Sequence, residues 1–173
     1  MPSGSDYFIE LAHNGNGDIE AAVKAEANAG TKLCTPDTAI EYAEQIDTPL
    51  EFQKPLGTGT NFWPTSPTTY NWSLPCAQLD PLASWIMTPS NRDAFAHVSH
   101  TFTHAALNNA TYSDVSKEIS LNIDWSQQVG ISAAQRYSEK GLIPPAITGM
   151  HNGDAIKAWM DNGITSVVGD NVS

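Results

Sequence analysis

The sequence predicts an α/β domain built on a mostly parallel sheet. Short aromatic or β-branched runs alternate with stretches of helix-spaced apolar residues, and Gly- or Pro-rich turns separate them. Histidines and an aspartate follow the predicted strands, at the strand ends where functional groups of parallel sheets collect. With 173 residues and 40% apolar content, the chain is long enough for one domain, residues 1–173, with its own core.

Each element has its own signal. Tyr7–Ala12 reads as a buried strand running into the turn-rich His13-Asn-Gly-Asn-Gly-Asp18. Asp18 is the expected N-cap of a helix in which Ala21, Ala22, Ala25 and Ala27 supply propensity until Gly30 stops it. A second short helix is expected over Thr38–Gln45, capped by Thr35 or Asp37 with Pro36 near its first turn. From Thr48 to Leu82 the chain carries Pro49, Pro55, Pro64, Pro67, Pro75 and Pro81, so little regular structure is expected there. Phe62, Trp63, Tyr70 and Trp72 lie in that stretch. They either pin it to the core or offer faces to pyranose rings, and pinning is the commoner task.

Leu82–Met87 is a short helical candidate, and Ala94–Val98 alternates as a strand that delivers His100 at its C-terminal end. A long helix follows over Ser113–Val129, where Val115, Ile119, Ile123 and Trp125 make an apolar set, and Gly130 ends it. Gly141–Pro144 reads as a strand, Asp154–Asp161 as a helix and Ile164–Val168 as a final strand before Gly169-Asp-Asn171. His100, His151 and Asp170 thus all follow strands.

Charge narrows the partners. The formal net charge of −11, from 19 acidic against 8 basic residues, argues against nucleic-acid backbones or anionic membrane surfaces, which demand Lys/Arg patches. Charged residues are only 16% of the chain, so uncharged polar groups carry much of the solvation, which suits a protein that handles sugars. Cys34 and Cys76 allow one internal pairing. Asn71-Trp-Ser, Asn109-Ala-Thr and Asn171-Val-Ser match the acceptor pattern for N-glycosylation. Together these point to a secretory route and an oxidising compartment. Met1–Asp6 carries neither a basic nor an apolar leader segment, and no run approaches the roughly 18 apolar residues of a membrane helix.

Three of the five histidines fall in His97-Val-Ser-His100-Thr-Phe-Thr-His104. Imidazole is the commonest protein ligand for zinc, and two such ligands four positions apart can face one ion from a single turn or tight loop. His100 and His104 are therefore the candidate metal ligands, against the alternative of a pair that holds no metal. His97, three residues earlier on a strand, reads as an inward, hydrogen-bonded core histidine.

His100-Thr-Phe-Thr-His104, followed by Ala-Ala-Leu107 and a helix containing Lys117-Glu-Ile119, resembles the His-Thr-x-x-His metal motif of the polysaccharide deacetylases, which include chitin deacetylases. Gly141-Leu-Ile-Pro-Pro-Ala-Ile-Thr-Gly-Met-His-Asn152 and Val167-Val-Gly-Asp-Asn171 further resemble fungal secreted exopolysaccharide deacetylases of the galactosaminogalactan type. The resemblance implies a partial distorted (β/α) barrel, a divalent metal, most often zinc, held by His100 and His104, and hydrolysis of acetamido groups on a polysaccharide substrate. It also implies a first barrel strand ending in an Asp-Asp pair. No such dipeptide occurs in the chain, and with Tyr7–Ala12 taken as the second barrel strand the resemblance implies that the pair would lie upstream of Met1. Asp18 is the nearest substitute for the general base that such a pair supplies in the family, although capping is its more ordinary role. His151 is a candidate general acid, with loop structuring or substrate contact as equal alternatives. The alternative function is a non-catalytic carbohydrate-binding or wall-associated remnant; a zinc-dependent amidase with a small substrate is a third reading.

Overall fold

The computed structural model describes residues 4, 7–43, 45, 48–49 and 51–169. Asp170 and the Asn171 acceptor lie outside the described residues. Four strands form one parallel sheet in chain order: β1 (Glu10–His13), β2 (Ala96–Ser99), β3 (Tyr137–Leu142) and β4 (Ser166–Val167). The longer helices are α1 (Gly15–Ala29), α5 (Tyr112–Gln128) and α6 (Gly153–Asp161). Three short ones, α2 (Leu74–Ala77), α3 (Pro81–Ile86) and α4 (Pro89–Arg92), precede β2. The predicted α/β class with a parallel sheet is what forms.

Register decides which side chains meet. Leu11 pairs with His97, and His13 with Ser99, so these four share one sheet face. Leu142 pairs with Ser99 and joins them there, against α5 and α6. Ile19 and Ala22 of α1 close the same side with Trp125. Between Val98 and Ser99 the pairing with β3 jumps from Ser138 to Leu142, a bulge that contains Gly141. A Cβ on Gly141 would lie 3.0 Å from the Ser138 Cβ and 3.2 Å from the Val98 Cγ2, so only glycine leaves that turn of backbone undisturbed.

Helix starts depart from the expectation in an instructive way. Asp18 is not the cap: α1 begins at Gly15 with Asn14 as N-cap. The early donors of the helix find tertiary partners, Gly15 N–H on Asn122 Oδ1 at 2.8 Å and Asn16 N–H on the Phe102 carbonyl at 3.0 Å, which lets it start a turn sooner. Elsewhere the caps follow ordinary chemistry. Asp80 caps α3, Thr111 caps α5 and Asn152 caps α6, each accepting from a first-turn N–H.

The helix expected over Thr38–Gln45 does not form in its described residues. Asn16 explains why: its side chain accepts from Ile40 N–H at 2.8 Å and donates to the Ile40 carbonyl at 3.2 Å. Both backbone groups of Ile40 are satisfied without a helix, while its side chain enters the core. Thr48–Leu82 is irregular apart from α2 and the start of α3, as the prolines require. The Cys34–Cys76 disulfide ties α2 to the segment after α1. Among the described residues, no helix is long and apolar enough to cross a membrane.

Candidate functional site

The loop after β2 carries the histidine pair. Its backbone is held in an unusual shape, with Thr101 and His104 both at φ 65°. Non-glycine residues in that left-handed region each cost on the order of 1 kcal/mol and persist only where the surroundings over-determine them. Those surroundings are dense. The Asn14 amide donates to the carbonyls of His100 and Thr101. Phe102 is fully buried, ringed by Trp63, Tyr70 and Trp72 at centroid distances of 6.3, 6.1 and 6.0 Å. Trp63, Tyr70 and Trp72 of the Pro-rich segment are therefore pins, and Trp63 and Trp72 are buried away from any sugar.

Farther along, Gln45 accepts from Ala106 N–H at 2.7 Å and donates to its carbonyl at 2.8 Å. Tyr42 donates to the Thr103 carbonyl, and Thr148 and Asn152 bond both backbone groups of Leu107. The loop is rigid by construction.

His100 and His104 are brought together. Their rings meet edge to face with centroids 4.7 Å apart. The Nδ1 of His100 lies 2.7 Å from the Ile143 carbonyl, which can only accept, so Nδ1 carries a proton and Nε2 is the nitrogen left for another partner. The β3 bulge makes this possible by bringing Ile143 beside Ser99, whose carbonyl takes the Ile143 N–H at 3.0 Å. Burial, followed by the neighbouring His100, holds the His104 pKa below its ordinary value, so that ring is neutral at neutral pH. Two imidazoles this close, one with its Nδ1 already committed to a carbonyl, make a donor pair that suits a divalent metal. Among the described residues, no group of three His, Cys, Asp or Glu side chains is gathered to hold an ion.

The other predicted residues stand apart. His97 is fully buried and its Nε2 donates to the Arg92 carbonyl at 2.8 Å; His13 Nε2 lies 2.9 Å from its Nδ1. It is the core histidine the sequence suggested. Burial, and then His97, push the His13 pKa down to about 4. Asp18 sits one turn inside α1, buried, with Oδ2 accepting from Trp125 Nε1 at 2.6 Å and Oδ1 without a partner among the described residues. Burial raises its pKa to about 7, against the opposing Trp125 hydrogen bond. It lines a cavity of about 440 Å³ with His13, Asp80, Trp85 and Trp125, a space that does not include the histidine pair. His151 is exposed on the turn before α6, and no described hydrogen bond or ring contact joins it to His100 or His104.

These residues occupy a fold whose relatives are known. A family model described as the Agd3 deacetylase domain matches residues 1–173. The chain belongs to the Agd3 deacetylase domain family. A solved structure described as the crystal structure of Agd3, a novel carbohydrate deacetylase, is 58% identical and superposes with a TM-score of 0.91 over 97% of this chain. The chain spans 25% of that protein's length. No curated protein matches it.

Within this member of the Agd3 deacetylase domain family, one group near the histidine loop escaped the sequence reading. Asp114, Glu118 and Asn122 form an i, i+4, i+8 stripe on α5, and all three are buried. Asp114 Oδ2 accepts from Phe62 N–H at 2.7 Å, and Asn122 donates to the His13 carbonyl at 2.9 Å and to Ser99 Oγ at 2.8 Å. Glu118 Oε2 accepts from Phe102 N–H and Thr103 N–H, both at 2.8 Å, and Oε1 accepts from the Thr103 hydroxyl. Burial raises the Glu118 pKa to about 7 in spite of these bonds. The spacing was visible in the sequence, but polar residues at helical spacing ordinarily mark a solvated face.

Proposed function

We propose that this chain is part of an enzyme that removes acetyl groups from an acetamido-sugar polysaccharide, with a divalent metal, zinc by preference, held by His100 and His104. The family match over residues 1–173 supports the chemistry. The observation that carries the site is the free Nε2 of His100 beside the His104 ring. When bound, the ion supplies Lewis-acid polarisation of the acetamide carbonyl and of attacking water. The chain's own part is to keep two imidazoles aimed and close, on a loop held from both sides by hydrogen bonds. In this reading the parallel sheet is a segment of a distorted (β/α) barrel, and the histidines sit at its mouth.

The neighbouring groove supports a sugar substrate. Gln45, Thr60, Asn61, Phe62 and Asn109 line about 290 Å³ beside Ala106, two residues past His104, mixing amides with one aromatic face. Of the two proton-transfer candidates, His151 is the accessible one, while Asp18, locked to Trp125, is better placed to join α1 to α5. Exposure of Asn71 and Asn109 and the disulfide support a secreted or wall-associated glycoprotein.

The test is acetate release from an acetylated aminosugar oligomer by the full-length protein. Chelation should abolish it and zinc should restore it, while activity that survives both chelation and His100→Ala removes the mechanism. Polymer binding without acetate release under any metal would favour the carbohydrate-binding alternative.

A further inference from the structure

Phe102 and Thr103 sit between the two histidines, and both of their N–H groups point at one oxygen of Glu118. The Thr103 hydroxyl takes the other oxygen. The strained residues Thr101 and His104 flank this pair on either side. Asn14 holds the loop by its carbonyls, so Glu118 supplies the complementary half, the acceptors for its N–H groups. Glu118 itself is fully buried on α5, a 17-residue helix anchored in the core through Val115, Ile119 and Trp125.

We propose that Glu118 is a positioning residue that fixes His104 against His100 by clamping the backbone between them, and so sets metal affinity without touching metal or substrate. This rests on the reading of the pair as metal ligands, yet the clamp has consequences in the metal-free protein as well. Without it, two buried N–H groups would lose their acceptor, and the loop would relax toward ordinary φ values. The rings would then separate.

Three variants of the full-length protein test this. Glu118→Met keeps length and apolar volume but removes both acceptors. Glu118→Gln keeps a carbonyl oxygen for the N–H groups and turns its amide toward the Thr103 hydroxyl. Thr103→Val removes only the hydroxyl bond. Hydrogen exchange of the Phe102 and Thr103 amides, measured without metal, should quicken at least about tenfold in Glu118→Met and recover in Glu118→Gln. Zinc affinity by competition with a chromophoric chelator should fall about 10- to 100-fold in Glu118→Met, with kcat reduced in parallel and KM for the oligomer unchanged. Thr103→Val should show a several-fold loss; it decides the matter if Glu118→Met does not fold, and wild-type exchange and affinity there would overturn the proposal. A folded Glu118→Met with wild-type exchange and zinc affinity overturns it too, as does a Glu118→Gln no better than Glu118→Met. If the unaltered protein binds no zinc, the metal reading fails instead, while the exchange data still judge the clamp.

Discussion

The Nδ1–H of His100 donates to the carbonyl of Ile143, 2.7 Å away and one residue past the end of β3. That bond fixes the tautomer, and the tautomer decides which nitrogen faces outward. In long-range ¹⁵N–¹H spectra at neutral pH, His100 should show its proton on Nδ1 and His97 on Nε2, where it meets the Arg92 carbonyl. An Nε2–H tautomer at His100 would contradict the ligand geometry.

Asp18 makes stability depend on pH with a definite sign. Its folded pKa, about 7, lies above the ordinary 3.8, so the folded state holds a proton that the unfolded chain has already released. The stability it contributes is present in acid and is lost as pH rises from about 4 to about 7. Asp18→Asn keeps an acceptor for Trp125 and cannot ionise. Urea unfolding across that window should show the variant gaining on the unaltered protein as pH rises, with no further gain above about pH 7. His13, lowered to about 4, acts in the opposite sense in both proteins and cancels in the comparison.

Gly15→Ala should destabilise by about 1–3 kcal/mol in denaturant titration. The added Cβ would lie 2.6 Å from Trp125 Cγ and 2.7 Å from Phe102 Cε2, and neither ring has room to retreat. Because Phe102 belongs to the histidine loop, zinc affinity should fall with it.

Replacing Cys34 and Cys76 together by alanine should cost about 4 kcal/mol on the loop-entropy estimate for a crosslink spanning 42 positions. The midpoint of denaturant unfolding, compared with and without the bond, checks this.

The sequence and the structure agree where one signal dominates. Val115, Ile119 and Trp125 announce α5, and the alternation before His100 announces β2, displaced to Ala96–Ser99. The histidine pair was legible because chemistry and spacing coincide in eight residues. What was hidden depends on partners distant along the chain. Asn122 and Phe102 move the start of α1 to Gly15, and Asn16 keeps Ile40 out of a helix. Glu118 is 14 positions beyond His104 and looks like any helix-surface glutamate until the loop is laid over it. Periodicity distinguishes apolar from polar faces but not buried polar from exposed polar.

Lys54 lies under the Pro-rich segment, its ammonium paired with Asp154 and also bonded to the Thr58 carbonyl at 2.9 Å, with its side chain 1% exposed. Salt screens an ammonium so enclosed only weakly, whereas Lys32 and Asp37, open to water at 3.9 Å, are readily screened. The stretch that shelters Phe102 is therefore moored to α6 by an attachment that brine should weaken little, and the histidine loop is expected to keep its shape in salty surroundings.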